Sequence, residues 1–180
     1  MTQNNCMILG VTGHRPQGLG CGYNVPNPTY NKICKAIKEE LIKINPSKII
    51  SGMAQGVDSW AVHVALELGI PYIAAVPCEG QDKAWPDYSK AHYKELLKSA
   101  VEVVIVSPGG YSPIKMKIRD EWLVDNCTSL LAVWSGITHG GTYHTVQYAK
   151  SKKDCMIHII DPESLKEVVY EKEKEKGEES

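Results

Sequence analysis

The chain has 180 residues, is 43% hydrophobic and carries a net charge of −1, which is enough for one well-cored domain and too little for a second independent core. No run reaches the ~18 consecutive apolar residues of a membrane span. The opening MTQNNCMILG also lacks the charged-then-apolar pattern of a signal peptide, so a cytoplasmic protein with no membrane partner is expected.

Residues 161–180 hold eight acids and four lysines, leaving thirteen acids and sixteen bases in residues 1–160. That mild basic excess suits an anionic small molecule; a long nucleic acid usually needs a concentrated basic stripe. Residues 1–160 are read as one domain and 161–180 as a charged tail, because its end, EKEKEKGEES, has no apolar periodicity. The six cysteines form no CxxC pair and the six histidines no HExxH motif. Reduced thiols, no metal and no cofactor are therefore expected.

In chain order, CMILGV (6–11) is the first expected strand, followed by Thr12-Gly13-His14-Arg15-Pro16 and a glycine- and proline-rich stretch. A helix comes next, with Tyr30, Ile33, Cys34, Ile37, Leu41 and Ile44 on one face. Strand KIISG (48–52) runs into the loop Ser51-Gly52-Met53-Ala54-Gln55-Gly56-Val57-Asp58, and a second helix aligns Ala61, Val64, Ala65 and Leu68. Strand YIAAVP (72–77) is followed by Glu79, Gln81 and Trp85, and strand VEVVIV (101–106) by SPGGYSP. A helix carrying Met116, Arg119 and Leu123 precedes strand SLLAVW (129–134), the loop SGITHGGT (135–142) and a last strand, CMIHII (155–160).

Unbroken apolar runs bounded by Gly or Pro are what a parallel sheet buried on both faces requires. Their alternation with helices predicts an α/β fold: a Rossmann-like, doubly wound, mostly parallel sheet of about six strands in three α/β/α layers. Ligands of such sheets lie at the carboxyl ends of the strands. There, glycines admit close backbone approach, and a helix start offers free N–H groups and a positive dipole end, a setting suited to phosphate. In any one loop the glycines could simply turn strand into helix; SGMAQGVD and HGGT together favour an anion site. Arg15 and Arg119 stand against eighteen lysines, and the rigid guanidinium fork of Arg15 sits at the expected ligand edge.

These residues resemble the SLOG superfamily of Rossmann-like nucleotide-binding proteins, and within it the YpsA-like branch, through TGHRP, SGMAQGVDSWA, the Gln81/Trp85 segment and RDEWLVDNCTSLLAVWSGITHGGTYHTVQYA. SGMAQGVDSWAVHVAL is similar to the phosphate-loop segment of bacterial DNA-processing proteins, which bind single-stranded DNA. Arg119 to Thr142 looks like the heart of the LOG phosphoribohydrolases, which cleave the N-glycosidic bond of nucleoside monophosphates. In that comparison Arg119 matches the arginine of an RKxxM helix, Leu123 its methionine, and Gly141-Thr142 the Gly-Thr of PGGxGTxEE. Where those hydrolases carry paired glutamates, this chain has His144 and Thr145. An oxocarbenium-like transition state needs a nearby carboxylate, which leaves Asp58, Glu79 or Asp125 as replacements from other loops.

The resemblance implies binding of a nucleotide or nucleotide-derived molecule, ADP-ribose-like or cyclic, for sensing or sequestration. Its alternatives are a nucleoside 5′-monophosphate N-glycosidase and a single-stranded DNA-binding accessory factor. The expected ligand set is Thr12, Gly13, His14, Arg15, Ser51, Gly52, Met53, Ala54, Gln55, Gly56, Asp58, Gln81, Trp85, Arg119, Asp125, Gly140, Gly141, Thr142 and Thr145. Arg119, Asp125 and Glu79 are the catalytic candidates. Asp58 reads equally as a helix cap, His14 and His139 read as hydrogen-bond donors, and Trp85 and Tyr111 as stacking platforms. Family likeness also implies a homo-oligomer.

Overall fold

In the computed structural model, which describes residues 6–172, the apolar runs become strands with both faces covered. β1 (Ile8–Gly13), β2 (Lys48–Ser51), β3 (Tyr72–Val76) and β5 (Ser129–Val133) have almost wholly buried interiors. β4 (Glu102–Ile105) is an exposed edge, and β6 (Met156–Ile160) lies beside β5.

The helices begin and end where local chemistry directs. α1 (Pro28–Ile44) starts on a proline, its Asn27 side chain accepts from Tyr30 N at 2.9 Å, and left-handed Asn45 stops it. α2 (Val57–Leu68) lies between Gly56 and Gly69, both at positive φ. α3 (Asp87–Ser99), α4 (Pro113–Asp125) and α5 (Gly140–Ser151) complete the set.

Strand order is β4-β3-β2-β1-β5-β6-β7, parallel except for the last pair. The chain winds outward from β1 to β4 and then crosses to β5, so the order reverses between β1 and β5. One core layer joins α1, α2 and α3 to residues such as Leu9, Val11, Ile49 and Leu131. The other joins α4 and α5 to Ile50, Ala75, Leu130 and Ile157. Trp60 belongs to the first core, while Trp122 and Trp134 are only partly buried against the second.

One expectation changes. The sheet has a seventh strand, β7 (Glu167–Tyr170), antiparallel to β6 and drawn from the stretch read as a charged tail. The turn Asp161–Lys166 reverses the chain, its Asp161 carboxylate accepting from Glu163 N and Ser164 N at 3.0 and 2.7 Å. EVVY is short, flanked by charge and half exposed, so its strand character rests on pairing with β6 rather than on burial. The final residues of EKEKEKGEES, 173–180, lie outside the described residues.

Gly13 ends β1 for a packing reason: a Cβ there would stand 2.5 Å from the Val57 side chain, where α2 presses on the strand end. Gly13→Ala is expected to cost about 1–3 kcal/mol of stability as an overpacking change. Urea unfolding should show the midpoint falling at constant m-value.

Candidate functional site

Where β1 and β5 part at their carboxyl ends, a cavity of about 340 Å³ opens. Thr12, Gly13, His14 and Arg15 reach it from β1, Ala54 and Asp58 from the β2–α2 turn, Met116, Arg119 and Asp120 from α4, and His139, Gly140, Gly141 and Thr142 from the start of α5. A wider hollow of about 720 Å³ adjoins it, sharing Met116, Asp120, His139, Gly140 and Gly141, with Tyr111 and Tyr143 in its wall.

The two glycine loops that look alike in sequence differ in their amides. At the start of α5 no side chain caps the helix, no acid stands in its first turn, and residues 139–141 are exposed. Its N–H groups face the cavity with the positive end of the helix dipole, a ready anion seat. The Ser51–Asp58 loop is closed upon itself instead. Met53 N donates to Ser51 Oγ (3.1 Å), Ala54 N to Asp58 Oδ2 (3.3 Å) and Val57 N to the His14 carbonyl (3.2 Å). Ser51 Oγ donates to the Asp58 carbonyl at 2.8 Å. The loop expected to cradle phosphate thus has the amides of Met53, Ala54 and Val57 engaged within the fold. Gly52 serves that closure, since a Cβ there would collide with the Arg119 guanidinium.

The two arginines also diverge. Arg15 is exposed at the cavity mouth and makes no ion pair among the described residues. Arg119 is 4% exposed; its Nη1 donates to the carbonyls of Gly52 and Ala75, and its Nε to Asp120 Oδ1 at 2.8 Å. It is a structural cation beside the buried Asp58 and the partly buried Asp120, and only what these bonds leave free can meet a ligand. Burial pushes Asp58 up to about 6 against the opposing pull of Arg119, and Asp120 is raised for the same first reason.

Several expected ligands lie elsewhere. Asp125, the last residue of α4, pairs with Lys152 (2.8 Å) and accepts from Tyr148 Oη, away from the cavity. Exposed Glu79 lines none of these hollows. Thr145 donates to the Gly141 carbonyl at 2.9 Å, and Gln81 to the Gly52 carbonyl at 3.2 Å, both as internal ties. His14, expected as a donor to ligand, accepts from Ser135 N at 3.1 Å through Nε2, and burial lowers its pKa.

Met53, Gln55, Gly56 and Trp85 face a separate aromatic cavity of about 460 Å³ on the other side of the loop. There Trp85 meets Tyr93 edge-on at 5.2 Å and Gln55 donates to Ser89 Oγ. Asp120 was not among the expected residues. The signal was available, because Met116, Arg119, Asp120 and Leu123 follow the i, i+3, i+4, i+7 spacing of one helical face.

The chain belongs to the YspA SLOG family, whose model matches residues 9–165. It is 33% identical over 144 residues to the SPbeta prophage-derived protein YoqJ of Bacillus subtilis (69% of this chain, 84% of the relative), and 32% identical over 177 residues to the UPF0398 protein OB1025 of Oceanobacillus iheyensis (90% and 92%). Among solved structures it is similar in fold to DNA processing protein A of Streptococcus pneumoniae, with TM-score 0.62 and 19% identity, covering 86% of this chain and half (50%) of that one. DNA processing protein A of Helicobacter pylori, described for its single-stranded DNA binding mode, matches at TM-score 0.57 and 17% identity, covering 84% and 65%. The molybdenum cofactor carrier protein of Chlamydomonas reinhardtii matches at 0.50 and 17%, covering 84% and 75%. Among the described residues no helix is long and apolar enough to cross a membrane.

The buried acid gives the site a pH signature. Asp58 holds its proton to about 6 in the fold but only to 3.8 unfolded, so the folded state binds more protons in that window and stability falls as pH rises through it. In Asp58→Asn the fall in stability between pH 4 and pH 7 is expected to shrink by this contribution, on the order of a few kcal/mol, while that of Asp120 remains. Urea titrations of both proteins across that range check it.

Proposed function

We propose that this protein binds a phosphorylated ribose compound, a nucleotide or nucleotide derivative of the ADP-ribose-like or cyclic kind, at the cavity between β1 and β5. The observation that carries the reading is the split chemistry of the cavity wall. Uncapped N–H groups of α5 and the free Arg15 guanidinium share that wall with two carboxylates, the buried Asp58 and the partly buried Asp120. A bare phosphate site needs donors alone. Donors beside carboxylate acceptors suit a phosphate attached to a sugar, whose hydroxyls donate. A planar base then extends into the adjoining hollow, toward Tyr111 and Tyr143.

A second reading, N-glycoside hydrolysis, draws support from Asp120. Its Oδ2 would stand 3.6 Å from a Cβ at Gly141, beside the first turn of α5, so a carboxylate from α4 reaches the helix that lacks the paired glutamates. For nucleic acid, the comparisons include a protein described as binding single-stranded DNA, so the exclusion expected from charge has no support from them. Exposed apolar side chains at the β4 edge, Val101, Val103 and Ile105, and on α4, Ile114 and Ile118, support self-association.

Thermal shift with AMP, cyclic mononucleotides and ADP-ribose tests the main reading. At least one is expected to stabilise the protein, by ~2.7 kcal/mol at ~100 Kd. Arg15→Ala should weaken that ligand by about tenfold or more while leaving unliganded stability within ~0.5 kcal/mol. Unchanged affinity in this variant overturns the site. Release of free base from a monophosphate by wild type but not by Asp120→Asn would instead establish the second reading.

A further inference from the structure

Away from the cavity, three ligating side chains from three elements meet between α1 and the β6–β7 hairpin: Glu40 of α1, His158 of β6 and Glu167 of β7. His158 Nδ1 lies 2.9 Å from Glu167 Oε1 and 4.0 Å from Glu40 Oε2, and all three ligand atoms fall within 4.8 Å of one another. Glu40 and His158 are 9% and 8% exposed. Glu40 Oε2 is buried with no hydrogen-bond partner, although it points into the cluster. A buried carboxylate oxygen left bare beside a second carboxylate calls for a proton or a cation.

Lys43 decides how the carboxylates are turned. Its Nζ sits 2.5 Å from Glu167 Oε2 and 3.6 Å from Glu40 Oε1. Those are the outer oxygens of the two acids. The inner oxygen of each is thereby turned toward the imidazole, as partners outside a metal's direct ligands orient the ligands themselves.

We propose that Glu40 Oε2, Glu167 Oε1 and His158 Nδ1 bind one divalent transition-metal ion of the zinc class, which clamps β7 and β6 onto α1. Ligands at 2.0–2.1 Å in a tetrahedral zinc site stand about 3.3 Å from one another, and the separations of 2.9 and 4.0 Å straddle that value. The imidazole selects zinc-like ions over magnesium or calcium, which prefer all-oxygen sets. Three protein ligands leave a fourth position for water. Two carboxylates and a divalent ion cancel in charge, while Lys43 remains on the outer oxygens. The expectation of no metal rested on motif spacing, and three ligands on separate elements have none.

The test uses the full chain stripped with EDTA. Calorimetric titration with Zn²⁺ is expected to show one equivalent bound, with a rise in Tm, and Co²⁺ should give a d–d spectrum free of thiolate charge transfer, which separates this site from the six free cysteines. Glu40→Gln and His158→Asn should each lower Zn²⁺ affinity more than tenfold, and Lys43→Met about tenfold. Should either ligand variant fail to fold, Glu167→Gln on the more exposed β7 supplies the same readout. No stoichiometric binding, equal binding by the ligand variants, or a thiolate band overturns the proposal. So does Glu40→Gln raising Tm with wild type indifferent to Zn²⁺, the signature of a proton shared between the acids.

Discussion

The buried guanidinium of Arg119 is the constraint on which this architecture rests. It reaches across the sheet edge from α4 to hold the carbonyls of Gly52 and Ala75, the ends of β2 and β3, while its Nε holds Asp120. A cation in that position must be compensated, and Asp58 and Asp120 compensate it. The Ser51–Asp58 loop then folds around Asp58, and Gly52 must lack a side chain so that the guanidinium fits. One buried charge thus determines the glycine, the loop and the acids together.

Two helix starts that look interchangeable in sequence consequently divide the work. The start of α2 is closed by its own hydrogen bonds and stiffens the site's floor. The start of α5 has no internal partner and stays open to a ligand. Glycine content marks both equally; the difference lies in whether a nearby side chain already accepts from the amides. Asp58 does so for the first, and nothing comparable precedes the second.

Most of the fold was legible, because runs such as YIAAV and SLLAV are apolar without alternation and only a doubly covered strand uses them that way. Part of the lining of the switch-point cavity was legible through Arg15, Asp58 and Gly140-Gly141-Thr142, which the fold brings together. Arg119 was visible, but its burial under backbone carbonyls depends on contacts that no local pattern encodes. Asp125 was drawn in by its place in a motif, yet it is the last residue of a helix whose middle, Met116 to Asp120, lines the cavity. β7 escaped because a short edge strand owes its conformation to a neighbour's hydrogen bonds rather than to its own composition.

The bond between His14 Nε2 and Ser135 bears on how a ligand enters. It joins the residues just beyond β1 and β5, two strands paired to their last residues whose following connections separate at the cavity. A cleft between crossovers would otherwise be free to breathe. Here a side chain bridges the two connections much as a tie beam bridges two rafters, and under the proposed reading a guest enters beside a gap already spanned.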